Sequence, residues 1–202
     1  MRGFYFITAR RLSTKPDLDA VADAVDGGAK IIQYREKHLP KNEMIKIAKK
    51  MKGICAGKAL FIVNDDVDVA AASGADGVHL GQDDAKIREA RKTLGKDKVI
   101  GVTVHDVEEA LEAEKEGADY LGASPIFSTT TKKDAGKPSG TLLIREIKKA
   151  VDLPVAAIGG INEQNIDEVI SSGADMACAI SATVAKEDIK AAVKYFASKW
   201  TE

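Results

Sequence analysis

Four times the chain closes a helix-like stretch on glycine and steps straight into an apolar run: Gly28-Ala29-Lys30, Gly74-Ala75-Asp76, Gly117-Ala118-Asp119 and Gly173-Ala174-Asp175. Glycine suits the residue after a helix because that position often takes positive φ, which costs little without a Cβ. The recurrence sets the register of a repeating helix-then-strand unit. It fixes where each strand begins and so where its far end falls.

Around those steps, short β-branched runs alternate with longer segments of helical period, the pattern of βα units and a parallel sheet. The alternation predicts strands at 3–8, 30–35, 59–63, 77–80, 99–102, 120–123, 155–158 and 176–180. Helices are predicted at 17–27, 41–54, 66–73, 84–94, 106–116, 140–150, 163–172 and 187–199, where apolar residues recur three and four apart. Eight such pairs point to a closed (β/α)8 TIM barrel. The rival, an open doubly wound sheet, usually has fewer strands and a glycine-rich loop after the first; here Thr8-Ala9-Arg10 follows instead.

At 202 residues the chain fits one barrel domain spanning 1–202, with one long irregular stretch, 124–139, placed as a lid loop. Lys and Arg number 30 against 31 Asp and Glu, a formal charge of -1, so no bulk field draws in nucleic acid or an anionic membrane. Any anion must be held locally. Two cysteines, Cys55 and Cys178, are too few for a disulfide framework, and the apolar run 4–7 is too short for a signal peptide. No stretch approaches a transmembrane span. A cytoplasmic, reduced setting is expected, and an oligomer is compatible with it.

In a (β/α)8 barrel the active site gathers at the C-terminal strand ends, with a phosphate commonly bound after strands seven and eight. After strand two, Gln33, Arg35 and Lys37 lie two apart and share a face if the chain stays extended. Arg offers a planar fork to phosphate oxygens and Lys a compact charge, which suits a pyrophosphate; a solvated strand end is the plain alternative. Strand three ends at Asn64-Asp65-Asp66 and strand four at His79-Leu80-Gly81-Gln82-Asp83-Asp84. On neighbouring strands, one carboxylate from each reaches a common cation, and Mg2+ takes one or two carboxylates with water and substrate phosphate completing its shell. Each aspartate taken alone is also a good helix N-cap.

The long loop carries Ser128-Thr129-Thr130-Thr131-Lys132-Lys133, hydroxyls and ammonium groups able to fold over a phosphate. Strand seven ends at Gly159-Gly160-Ile161-Asn162 and strand eight at Ile180-Ser181-Ala182-Thr183. Glycines let backbone N–H groups approach an anion, and Ser181 adds a hydroxyl at a helix N-terminus. The three histidines, His38, His79 and His105, have no metal-ligand spacing, and His79 reads equally as a packed or a site residue. Cys178 reads as core. Glu36, on the face opposite Arg35, is expected to meet the helix layer.

Gln33-x-Arg35-x-Lys37, Asn64-Asp65, His79-x-Gly81-Gln82-Asp83-Asp84, Pro125-Ile126-Phe127-x-Thr129-x-Thr131-Lys132-Lys133, Gly159-Gly160-Ile161 and Ile180-Ser181-Ala182 together resemble the thiamine-phosphate synthase family, in order over nearly the whole chain. The resemblance implies condensation of hydroxymethylpyrimidine diphosphate with hydroxyethylthiazole phosphate, giving thiamine phosphate and diphosphate with Mg2+. By position it implies that Gln33, Arg35, Lys37, Asn64 and Lys132 hold the diphosphate and that Asp65 and Asp84 hold magnesium. It implies further that Thr129, Thr131, Gly160, Ile180 and Ser181 hold the thiazole phosphate. Such a reaction proceeds by loss of diphosphate, so the protein chiefly stabilises a departing anion, with Arg35, Lys37 and Lys132 as the cations. A formal count of those cations, Mg2+ and the two aspartates gives roughly +3, against a diphosphate of about three negative charges.

By the resemblance, the chain departs from the family at Thr103, at Ala9 and in lacking the leading helix of longer members. Thr103 stands where serine is usual near the pyrimidine, keeping the hydroxyl and adding a methyl, and Ala9 stands where an acidic residue is frequent. Two other readings compete: a thiazole tautomerase of the same fold, against which Pro125, Asp65 and Asp84 argue, and a non-catalytic sensor of a phosphorylated vitamin precursor.

Overall fold

The computed structural model describes residues 1–131 and 136–200, and in it eight parallel strands close into a barrel in sequence order, β1 through β8 and back to β1. They are β1 (Gly3–Ile7), β2 (Ile31–Tyr34), β3 (Leu60–Asn64), β4 (Gly77–Leu80), β5 (Val99–Val104), β6 (Tyr120–Ala123), β7 (Val155–Ile158) and β8 (Met176–Cys178). Around them run α1 (Asp17–Asp26), α2 (Lys41–Cys55), α3 (Val67–Ser73), α4 (Ile87–Leu94), α5 (Val107–Glu116), α6 (Leu142–Ala150), α7 (Ile166–Ser171), α8 (Ser181–Val184) and α9 (Ile189–Ser198). The barrel expected from the alternation is present. The eighth unit differs by carrying two helices, because the chain turns through the short α8 before α9 packs back on α1 and β1, where Phe196 stacks on Phe4 at 5.2 Å.

Period-two alternation along each strand divides the apolar residues into two cores. Phe4, Phe6, Ile32, Phe61, Val63, Ile100 and Leu121 face the helices. Tyr5, Ile7, Ile31, Ile62, Tyr120, Met176 and Cys178 fill the lumen. That parity also decides which polar residues enter the barrel: Gln33 is two places on from Ile31, and Asn64 two on from Ile62.

All four glycines of the repeated step take positive φ, between 72 and 100°. Their job lies at the bottom rim, where the chain leaves a helix. Three of the steps carry aspartate, and each caps the start of the preceding strand while meeting a cation. Asp76 accepts from Phe61 N–H at 2.8 Å and meets Lys52 at 2.5 Å. Asp119 accepts from Ile100 N–H at 2.7 Å and meets Arg91 at 2.6 Å. Asp175 accepts from Val155 N–H at 2.8 Å and meets Lys148 at 2.9 Å.

Candidate active site

The top rim encloses a cavity of about 450 Å³, lined on one side by Arg35, Lys37, Asn64, Asp65 and Asp84 and on the other by Thr129, Thr131, Gly160, Ile180 and Ser181. Gln33, His79 and Thr103 line it from the strands. Every expected site residue except Lys132 therefore borders one space; Lys132 lies outside the described residues.

The wall at β2 differs in detail from the shared face expected of it. β2 stops at Tyr34, and only Gln33 points into the lumen as a strand residue, 2 % exposed, donating to Tyr5 Oη at 2.8 Å. Arg35 leaves the sheet with its N–H bonded to Thr8 Oγ1 at 2.9 Å, and among the described residues its guanidinium has no partner. Lys37 turns onto the Asp65 carboxylate. Glu36 does not enter the helix layer: its Oε1 accepts from the N–H groups of Lys37 at 2.8 Å and His38 at 2.6 Å. It thus shapes the turn that presents Lys37.

The structure divides the aspartates by role. Asp66 is a helix cap, accepting from Val69 N–H at 3.0 Å. Asp65 is not, and it sits at φ 61°, a left-handed conformation that a non-glycine residue adopts only when its surroundings hold it there. Its own N–H is held by the His79 carbonyl at 2.8 Å. Asp84 does not cap α4, whose cap is Lys86; its Oδ2 turns back to Gly81 N–H at 2.7 Å, so the helix starts at Ile87, later than its periodicity implies.

Burial pushes the Asp65 carboxyl above the usual carboxylate range; Lys37 pulls it down, and the adjoining Asp84 pushes it up. Two carboxyls in contact at a pocket wall are only partly balanced by Lys37, and a cation would complete the balance. Among the described residues no group of three or more His, Cys, Asp or Glu side chains is arranged for a metal. The pair therefore fits an ion that takes few protein ligands and completes its shell with water and phosphate oxygens, as Mg2+ does.

The opposite wall is built for close backbone approach. Gly160 has φ 63°, and a Cβ there would meet the Phe127 side chain at 2.8 Å and run into the Ser128 carbonyl, so no other residue fits without displacing the loop. Phe127 N–H bonds the Gly159 carbonyl at 3.0 Å and Ile126 N–H the Ile158 carbonyl at 2.9 Å, tying the start of the long loop to the end of β7. Thr129 Oγ1 accepts from Thr131 N–H at 3.2 Å, which sets both hydroxyl residues at the mouth. Ser181 opens the short α8, in which the Thr183 and Val184 N–H groups bond the Ile180 carbonyl at 3.1 and 2.8 Å.

A family model described as thiamine monophosphate synthase matches residues 4–183. The chain belongs to that family. A thiamine-phosphate synthase of Methanosarcina barkeri is 55% identical over 193 residues, covering 96% of this chain and 88% of its own length. One of Methanosarcina mazei is 52% identical over 193 residues, covering 96% and 80% respectively. The solved structure of a thiamine phosphate pyrophosphorylase from Pyrococcus furiosus is 42% identical and superposes with a TM-score of 0.90, covering 99% of this chain and 97% of that one. These likenesses do not favour the tautomerase or sensor readings.

Within this thiamine monophosphate synthase family barrel, the sequence motifs missed a polar floor beneath the cavity. Tyr5 and Tyr120 hydroxyls lie 2.8 Å apart, Tyr120 Oη is 2.8 Å from His79 Nδ1, and His79 Nε2 is 2.9 Å from Thr103 Oγ1. Burial pushes both tyrosine hydroxyls up and the His79 imidazole down to about 4, so all three are neutral at physiological pH. Lumen parity was the available signal: Tyr5 alternates with Ile7, and Tyr120 with Gly122. No helix among the described residues is long and apolar enough to cross a membrane.

Proposed function

We propose that the chain joins a pyrimidinylmethyl diphosphate to a thiazole phosphate as a thiamine-phosphate synthase. The observation that carries this is one cavity with a cationic, carboxylate-bearing wall and an opposite wall of hydroxyl residues and glycine. Two phosphorylated ends need two such walls, and the lumen between them accepts two rings.

In the reaction the C–O bond between the pyrimidine methylene and the diphosphate breaks, the diphosphate leaves with the electron pair, and the thiazole nitrogen supplies the pair for the new C–N bond. No proton has to move, which agrees with a floor of neutral hydroxyls and imidazole. Arg35, Lys37, Asn64 and Gln33 hold the departing anion, with Lys132 added from the loop, and the gain comes from charges fixed before the bond breaks. Asp65 and Asp84 would hold Mg2+, which when bound supplies positive charge to the leaving diphosphate. Thr129, Thr131, Gly160, Ile180 and Ser181 hold the thiazole phosphate, while Thr103 borders the pyrimidine. Residues 132–135 of the expected lid loop lie outside the described residues, and Thr129 and Thr131 at its described start border the cavity. The setting is cytoplasmic.

The test is diphosphate release from the two precursors, with and without Mg2+. Release that needs both precursors and the ion supports the reading; saturable binding of both without release overturns it in favour of a sensor.

A further inference from the structure

The polar floor is a single chain of hydrogen bonds crossing the barrel, Gln33 to Tyr5 to Tyr120 to His79 to Thr103, drawn from five strands. Space was cleared for it. A Cβ on Gly101 would collide with the Tyr120 ring, and one on Gly122 would stand 3.0 Å from His79 Cε1, so these two glycines let a phenol and an imidazole lie across the lumen.

The direction of the protons follows from the Gln33 end. The Gln33 amide N–H donates to Tyr5 Oη, so the Tyr5 proton is free to go to Tyr120. Tyr120 then donates to His79 Nδ1, which must be bare. A neutral imidazole bare at Nδ1 carries its proton on Nε2, and that proton goes to Thr103 Oγ1. With its oxygen already accepting, the Thr103 hydroxyl has its proton left for the cavity it borders. Reversing the chain would leave the Tyr5 proton facing the Gln33 N–H in a buried place, which is costly.

We infer that His79 is a positioning residue that acts through Thr103: it holds the hydroxyl of Thr103 as a donor toward an acceptor atom of the pyrimidine ring, with the polarity set from Gln33. The inference rests on the reading of function above. A hydroxyl free to rotate would offer the ring a donor or a lone pair indifferently; with one of its two lone pairs held by His79 Nε2–H, this one is biased toward presenting its proton, which favours rings carrying an in-plane lone pair there.

The experiment combines a double-mutant cycle with the nitrogen spectrum of the free protein. Thr103→Val and His79→Asn are each expected to lower kcat/KM for the pyrimidine diphosphate about tenfold, and the double variant by about the same factor, because both remove one interaction. KM for the thiazole phosphate stays unchanged, and Thr103→Ser keeps most of the activity. Losses that multiply in the double variant, or a KM for the thiazole phosphate that rises equally, overturn the inference. With only three histidines in the chain, 15N-labelled imidazole signals are assignable, and His79 is expected as the tautomer protonated on Nε2. A proton found on Nδ1 overturns the relay even if the variants misfold. A wild-type chain that releases no diphosphate overturns the functional reading and with it the role toward the pyrimidine, while the tautomer separately decides whether the hydrogen-bond relay stands.

Discussion

At the bottom rim, Asp76, Asp119 and Asp175 each sit between a backbone N–H and a cation, so every carboxylate is answered by its own barrel. At the top rim, Asp65 and Asp84 press on one another with Lys37 as partial compensation, and the Arg35 guanidinium has no partner among the described residues. The same side chain serves both places. What differs is whether the fold completes its charge or leaves it to be completed from outside. Charges finished internally hold strands in register; unfinished ones are available to a ligand.

Substitutions at the two rims should therefore fail in different ways. The largest expected effect is at the top: Asp84→Ala and Arg35→Ala should each reduce diphosphate release at least about a hundredfold, near 2.7 kcal/mol in barrier, with a melting temperature close to wild type. Steady-state kinetics beside a thermal melt checks this, and surviving activity at ordinary Mg2+ would remove Asp84 from the site. Next comes the bottom: Asp175→Ala strands the Val155 N–H and Lys148 together and should cost about 2 kcal/mol of stability, with activity per folded molecule retained. Chemical denaturation reads the first and active-site titration the second; an inactive but stable variant would break the comparison.

Asp65→Asn should cross the two categories. A carboxyl raised by folding contributes its stability below the ordinary carboxylate range and loses it as pH climbs through the raised value. The neutral variant is thus expected to melt higher than wild type at neutral pH, to lose that advantage in acid, and to be inactive. Mg2+ should raise the melting point of wild type and not of the variant. A variant less stable at every pH would show that the Lys37 ion pair outweighs burial. The smallest effect is Lys52→Met, which leaves Asp76 bonded to Phe61 N–H and should cost under about 1 kcal/mol, as ion pairs open to solvent on one side do.

Much of this contrast was legible along the chain. Glycine steps and β-branched runs are local signals, so the barrel and its strand ends followed from them, and counting from the strand ends brought Arg35, Asp65, Asp84, Thr129, Gly160 and Ser181 toward one rim. Helix starts were less legible. Asp84 reads as a cap from its position, yet its carboxylate is taken by Gly81, three residues back, and only the fold of that turn tells the two apart. Glu36 was misplaced for the same reason: alternation ceases where β2 ends, and a side chain beyond the last ladder bond follows its turn and not the sheet.

By itself, then, the sequence determined the order and polarity of the units, because helix ends and strand starts are set by the conformational preferences of residues a few places apart. Tertiary structure alone decided which aspartates are satisfied and which are not, and which hydroxyl hands its proton to which neighbour. Tyr5, Gln33, His79, Thr103 and Tyr120 are far apart in sequence and meet only because the sheet closes on itself, bringing side chains of five strands into one enclosed lumen. In that enclosure, a hydrogen bond left unmade is expensive, so the polar residues order one another.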